Sequence, residues 1–151
     1  MTDQSTAQAV FDHAGLSVAD MDRSRAFYSG VLGFDIVEDE FEFAEHELRG
    51  VVLKNHTGLR IELFCRRGAE PTGPHHPIDS TRRQGWFQFA MAVPDIQATF
   101  DAVVAAGATP LMKPSTAPDG FTKVAFVGDP DGNLVEFLQR QPNGVRAEPG
   151  D

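Results

Sequence analysis

The sequence predicts an α+β fold built from two tandem βαβββ modules, whose curled, mixed sheets surround a cavity. Three observations predict it. First, the chain nearly repeats itself: laying residues 11–21 over 86–96, an offset of 75, puts His13 on Gln88, Val18 on Val93, Asp20 on Asp95 and Met21 on Ile96. At an offset of 74, Gly33 falls on Gly107, Gly58 on Gly132 and Glu62 on Glu136. Self-similarity at this length marks a duplicated supersecondary unit. Second, each half reads as one alternating segment, one capped helical segment and three further strand segments. Third, 151 residues suit one domain or two small modules sharing a core.

The elements follow in order. Residues 1–9 are small and polar and read as a flexible tail. The first module covers 10–66. Residues 12–18 alternate, with Ala14, Leu16 and Val18 on a core face and His13, Gly15 and Ser17 opposite. Asp20 caps a helix over about 21–32 whose buried stripe is Met21, Ala26, Phe27 and Val31, and Gly33 ends it. Strands follow near 35–43, 50–55 and 59–65. Residues 67–84 are rich in Gly, Pro and His and form a linker or lid loop. The second module covers 85–140. Its first strand lies near 86–93. Asp95 then caps a helix near 96–106 with Ile96, Phe100, Val103 and Val104 inward, and Gly107 ends it. Strands follow near 109–112, 121–127 and 134–139, the last two joined at the turn signal Asp129-Pro130-Asp131-Gly132. Residues 141–151 read as a second tail.

Composition narrows the function. Hydrophobic residues make up 41% of the chain and charged residues 23%, a globular balance that supplies a core. A net charge of −9 gives no long-range attraction for nucleic acid phosphates or anionic membranes. A lone cysteine, Cys65, rules out an intrachain disulfide and reads as a small apolar strand residue. The sequence carries no secretory signal pattern and no apolar run long enough to span a bilayer, so the expected location is the cytoplasm.

Chemistry concentrates at four residues. His13 is followed by Glu62 after 49 positions, and Gln88 by Glu136 after 48. In each half, one opens the first strand and the other lies on the last. By the strand period, Glu62 shares a face with Arg60 and Phe64, and Glu136 with Leu134 and Leu138. His13 and Gln88 face away from the core-forming positions beside them. All four therefore point away from the helices. If each module curls into a half-barrel, an imidazole nitrogen, an amide oxygen and two carboxylates converge on one cavity, a set suited to a divalent metal with open water positions. Phe41, Phe43, Phe64, Trp86 and Leu138 are the expected walls, and Arg60 is placed to meet an anionic group.

Several motifs extend this reading: the opening His13; Ser24-Arg25-Ala26-Phe27-Tyr28 with Leu32-Gly33-Phe34; Ile61-Glu62-Leu63; Val93-Pro94-Asp95-Ile96; and Asp129-Pro130-Asp131-Gly132-Asn133-Leu134-Val135-Glu136-Phe137. Over about residues 11–140 the chain resembles the vicinal oxygen chelate superfamily, the glyoxalase/bleomycin resistance/dioxygenase group, as a glyoxalase-like member. The resemblance implies that His13, Glu62, Gln88 and Glu136 fill the four metal positions. Ligation by His, Gln and Glu is compatible with one divalent ion (Ni, Zn, Mn, Co or Fe) binding a small-molecule substrate. The helices and outer strand edges leave enough apolar surface for a homodimer, with the cavity either within one chain or across the interface. Many members have His where Gln88 stands. Some glyoxalases carry Gln first and His third, so the order here is exchanged between modules related by a pseudo-twofold axis.

For such a site the expected reaction is that of a glyoxalase-like lyase or isomerase: neighbouring substrate oxygens chelated by the metal, and a proton moved through an enediolate. Glu136 and Glu62 are the two candidate bases. Chain order in the resembled glyoxalases favours Glu136, and the exchanged ligands favour Glu62; Glu136 is preferred. The Asn-Trp-Gly segment expected of a glutathione-dependent glyoxalase is replaced by Phe64-Cys65-Arg66-Arg67-Gly68. The alternative is a metal-free protein of the same fold that sequesters an antibiotic or another small molecule. An extradiol-type dioxygenase or a thiol transferase would need a second His where Gln88 stands.

Overall fold

The computed structural model describes residues 9–71 and 75–140. The expected tails at 1–9 and 141–151 lie outside these residues, apart from residue 9. The element order is β1 (Ala14–Ser17), α1 (Met21–Gly30), β2 (Ile36–Phe43), β3 (Leu48–Lys54), β4 (Arg60–Arg66), β5 (Gln88–Ala92), α2 (Ile96–Ala105), β6 (Thr109–Thr116), β7 (Lys123–Gly128) and β8 (Leu134–Gln139). Each module makes one four-stranded sheet, ordered β1-β4-β3-β2 and β5-β8-β7-β6. The first strand of each pairs parallel with the last, and the other pairs are antiparallel. A parallel pair needs a crossover, which the helix and the two middle strands supply. These are the two βαβββ units expected from the sequence.

The same local devices build both helices. Asp20 has an extended backbone, φ −138° and ψ 116°, and its side chain accepts the Arg23 N–H at 2.9 Å. Asp95 does the same for the Ala98 N–H at 3.0 Å. Both satisfy a donor that the first helical turn leaves unpaired. At the other end of α1, Gly33 adopts φ 78° and the Phe34 N–H returns to the Tyr28 carbonyl at 2.8 Å. That left-handed backbone is the glycine-favoured helix stop.

The buried faces of the helices and sheets form one core spanning both modules, with Tyr28, Phe34, Ile61 and Leu63 from the first and Ile96, Val127, Val135 and Phe137 from the second. Phe34 and Phe89 meet across the junction with ring centroids 6.1 Å apart. The turn between β7 and β8 docks on α1. There Asp131 accepts from Arg23 Nη2 at 2.6 Å, from the Ala19 N–H at 3.2 Å and from Ser24 Oγ at 3.4 Å. Tyr28 donates its hydroxyl to Asp129 at 2.8 Å.

Three expectations are corrected. Ala26 is exposed, and the stripe of α1 is completed by Ser24 and Tyr28, which face the docked turn. The sixth strand continues to Thr116 instead of stopping near 112. The 67–84 connection contains a short 3-10 turn at Asp79–Arg82. Among the described residues, no helix is long and apolar enough to cross a membrane.

Candidate active site

His13 stands one residue before β1, and the register pairs Gly15 with Glu62 on the neighbouring strand. The imidazole Nε2 lies 3.0 Å from Glu62 Oε2, and Nδ1 lies 2.7 Å from Asp12 Oδ2. The hydrogen bond that His13 donates to Asp12 holds the His13 pKa above its ordinary value. Partial desolvation opposes this, and the charge of Glu62 adds to it.

Gln88 opens β5, and its side-chain amide donates to the Glu136 carboxylate on β8. Burial pushes the Glu136 carboxyl above the usual range, opposed by the Gln88 amide and by the charge of Arg140. Turning the amide end for end puts its oxygen where its nitrogen now sits, an exchange that leaves the side-chain shape unchanged.

Each expected pair is therefore formed within its own module. The four residues do not gather in one cluster within the chain: among the described residues, no three His, Cys, Asp or Glu side chains come close enough to hold a metal ion. The reason lies in the docking of the modules. They join through the helix side, at α1, Phe34 and Phe89, whereas Glu62 and Glu136 lie on the opposite faces of their sheets.

The donor set fits a divalent cation as two halves. An imidazole nitrogen, an amide oxygen and two carboxylates carry two negative charges and match the ligand preferences of zinc and its neighbours. Ligands about 2.1 Å from a common ion are roughly 3.0–3.4 Å apart at octahedral or tetrahedral angles. The 3.0 Å between His13 Nε2 and Glu62 Oε2 falls in that range.

The walls are asymmetric. Beside Glu62, the Phe41 ring packs edge-on against Phe43 and Phe64, with centroids 5.5 and 5.9 Å apart. Gly50, opposite both Phe41 and Phe64 in register, makes room: a Cβ there would meet the Phe41 ring at 2.1 Å. Phe43 is half exposed, and Trp86 is fully exposed and makes no wall within the chain. Arg60 is already held, with Nε and Nη2 on Glu38, which also binds Lys54. These two partners, Arg60 first, hold the Glu38 carboxyl down at about 2.

On the second module, Phe126 pairs with Glu136 in register, and with Leu134 it forms an apolar surround. Sequence reasoning missed Asp12, Glu38 and Phe126. Phe126 had a usable signal, its place in the apolar run Val124-Ala125-Phe126-Val127 of β7. Two surface clefts, about 460 and 270 Å³, lie at the starts of α2 and α1 and contain none of the four candidate ligands.

Comparison with known proteins agrees with this fold. The sequence model of the Glyoxalase/Bleomycin resistance protein/Dioxygenase superfamily matches residues 10–137. A lactoylglutathione lyase of Pseudomonas putida is 32% identical, over 93% of this chain and 90% of that protein. A glyoxalase family protein of Enterococcus faecalis superposes with a TM-score of 0.71 at 21% identity, over 85% of this chain and 96% of the other. Glyoxalase I of Zea mays superposes at 0.66 with 24% identity, and although 85% of this chain is covered, it spans only 44% of the maize chain. Two helices, two four-stranded sheets with parallel outer pairs, and a family match over most of the sequence lead to one conclusion: the chain belongs to the glyoxalase/bleomycin resistance protein/dioxygenase superfamily.

Proposed function

We propose that this chain is a metal-dependent lyase of the glyoxalase type that interconverts the hemithioacetal of a 2-oxoaldehyde with the isomeric 2-hydroxy thioester. The observation that carries this reading is the mirrored pairing of His13 with Glu62 and of Gln88 with Glu136, at equivalent places in the two sheets. The relative named lactoylglutathione lyase supports it, because a lactoyl thioester is such a product.

His13, Glu62, Gln88 and Glu136 would hold one divalent ion. When bound, the ion supplies Lewis-acid stabilisation of charge on neighbouring substrate oxygens. Glu136 is the base. Burial favours its protonated form and the Gln88 amide opposes this, and a carboxylate at the ion is placed to take and return a proton. It removes the proton from the carbon bearing sulfur and delivers it to the adjacent carbon, while the hydroxyl proton passes from the first oxygen to the second, so atoms and electrons balance without a redox partner. Phe41 and Phe64 offer an apolar wall that keeps water from the reacting carbons.

The two half-sites come together in an isologous dimer, in which the first module of one copy faces the second module of the other. Each dimer then holds two sites.

The test is the appearance of thioester absorbance from methylglyoxal mixed with glutathione or another thiol, using stripped protein and protein reloaded with Ni, Co, Mn or Zn. Turnover should require the ion and should fall by about 10²–10⁴-fold in Glu136→Gln. Turnover independent of both would contradict the reading. Tight ligand binding without turnover by loaded protein would favour a sequestering protein of the same fold.

A further inference from the structure

The two halves of the site differ in one respect that the repeat makes visible. At the offset that lays His13 on Gln88, Asp12 falls on Phe87. An acid precedes the first-strand ligand only where that ligand is an imidazole.

The chemistry of the two side chains explains the difference. A glutamine amide presents a fixed carbonyl oxygen and needs no help to be an acceptor. A neutral imidazole has one protonated and one free nitrogen, and the partner of one decides the role of the other. Here Asp12 Oδ2 lies 2.7 Å from Nδ1, while Nε2 faces Glu62 at 3.0 Å. Two carboxylates bracket the ring, so both its plane and its ligating edge are set. Arg60 also feels the charge of Asp12, but its guanidinium is held by Glu38, which leaves the Asp12 carboxylate to His13.

We propose that Asp12 is a positioning residue: it accepts the Nδ1–H of His13 and presents Nε2, beside Glu62, to the metal ion. The inference rests on the four-residue metal site proposed above. A carboxylate behind a ligating histidine typically changes metal affinity by about 10–100-fold.

The experiment measures zinc dissociation constants by competition with a chelating dye for the wild type, Asp12→Ala, Asp12→Asn and His13→Ala, with circular dichroism confirming that each variant is folded. Asp12→Ala should bind zinc about 10–100-fold more weakly. Asp12→Asn, whose amide oxygen can still accept the Nδ1–H, should recover most of that loss. In nitrogen-15 spectra of the zinc-loaded protein, the Nδ1–H of His13 should be protected from exchange in the wild type and in Asp12→Asn, and lost in Asp12→Ala. If His13→Ala weakens binding while Asp12→Ala matches the wild type, this inference alone is overturned. It is likewise overturned if Asp12→Asn binds no better than Asp12→Ala. If the wild type and His13→Ala bind zinc equally, the four-residue site fails and takes the inference with it.

Discussion

Glu38 takes hydrogen bonds from Arg60 and Lys54 at the rim of the ligand-bearing face, and its carboxyl is held down at about 2 from an ordinary 4.5. A carboxyl depressed on folding contributes stability that is fully present above the unfolded value and is lost as pH falls through the folded one. Glu38→Gln should therefore lower the melting temperature at pH 7, and the gap from wild type should close between about pH 4.5 and 2. Added salt should shrink it, because the group is partly exposed. A gap that persists unchanged at pH 2 would mean the side chain acts through packing. Tyr28 presents the opposite environment: its phenol is buried against Asp129, and burial followed by the neighbouring charge pushes its pKa up. Tyr28→Phe deletes a hydrogen bond to a buried carboxylate and should cost about 1.5–3 kcal/mol in urea unfolding.

Among the strands, β3 depends on a missing side chain. Gly50 lies beneath the Phe41 ring, where a Cβ would stand at 2.1 Å. Gly50→Ala should destabilise by about 1–3 kcal/mol through overpacking. Combining it with Phe41→Leu should recover part of the loss, a coupling that a double-mutant cycle measures. Most elements were legible because local signals agreed: alternation in β1, aspartate caps at Asp20 and Asp95, and glycines at helix ends. β6 was expected to end near 112, but it runs on through Pro114 to Thr116. The strand lies at the edge of its sheet and changes register twice, which is where proline is tolerated. Ala26 was misplaced for another reason. The burial of Ser24 and Tyr28 is decided by Asp129 and Asp131, about a hundred residues away, and no helical periodicity contains that information.

For the molecule as a whole, the pairing of His13 with Glu62 and of Gln88 with Glu136 was readable from the repeat, but the way the two modules dock was not. Alternation places Glu62 and Glu136 on the faces away from the helices. Which surfaces then touch depends on how one module docks on the other. Asp129 and Asp131 make that dock at α1, on the side away from both carboxylates. Phe11, Phe43 and Trp86 are exposed, and in the proposed dimer a second copy would cover them. A concentration-dependent dimer in analytical ultracentrifugation is the expected outcome. The most direct measurement is zinc binding by His13→Ala and Glu136→Ala chains, alone and after being unfolded and refolded as an equal mixture. Each variant alone should lack tight sites, while the mixture should regain about a quarter of the wild-type number, because random pairing gives half heterodimers with one intact site each. No recovery in a mixture shown to contain heterodimers would contradict a site shared between copies, and undiminished tight binding by either variant alone would contradict the site itself.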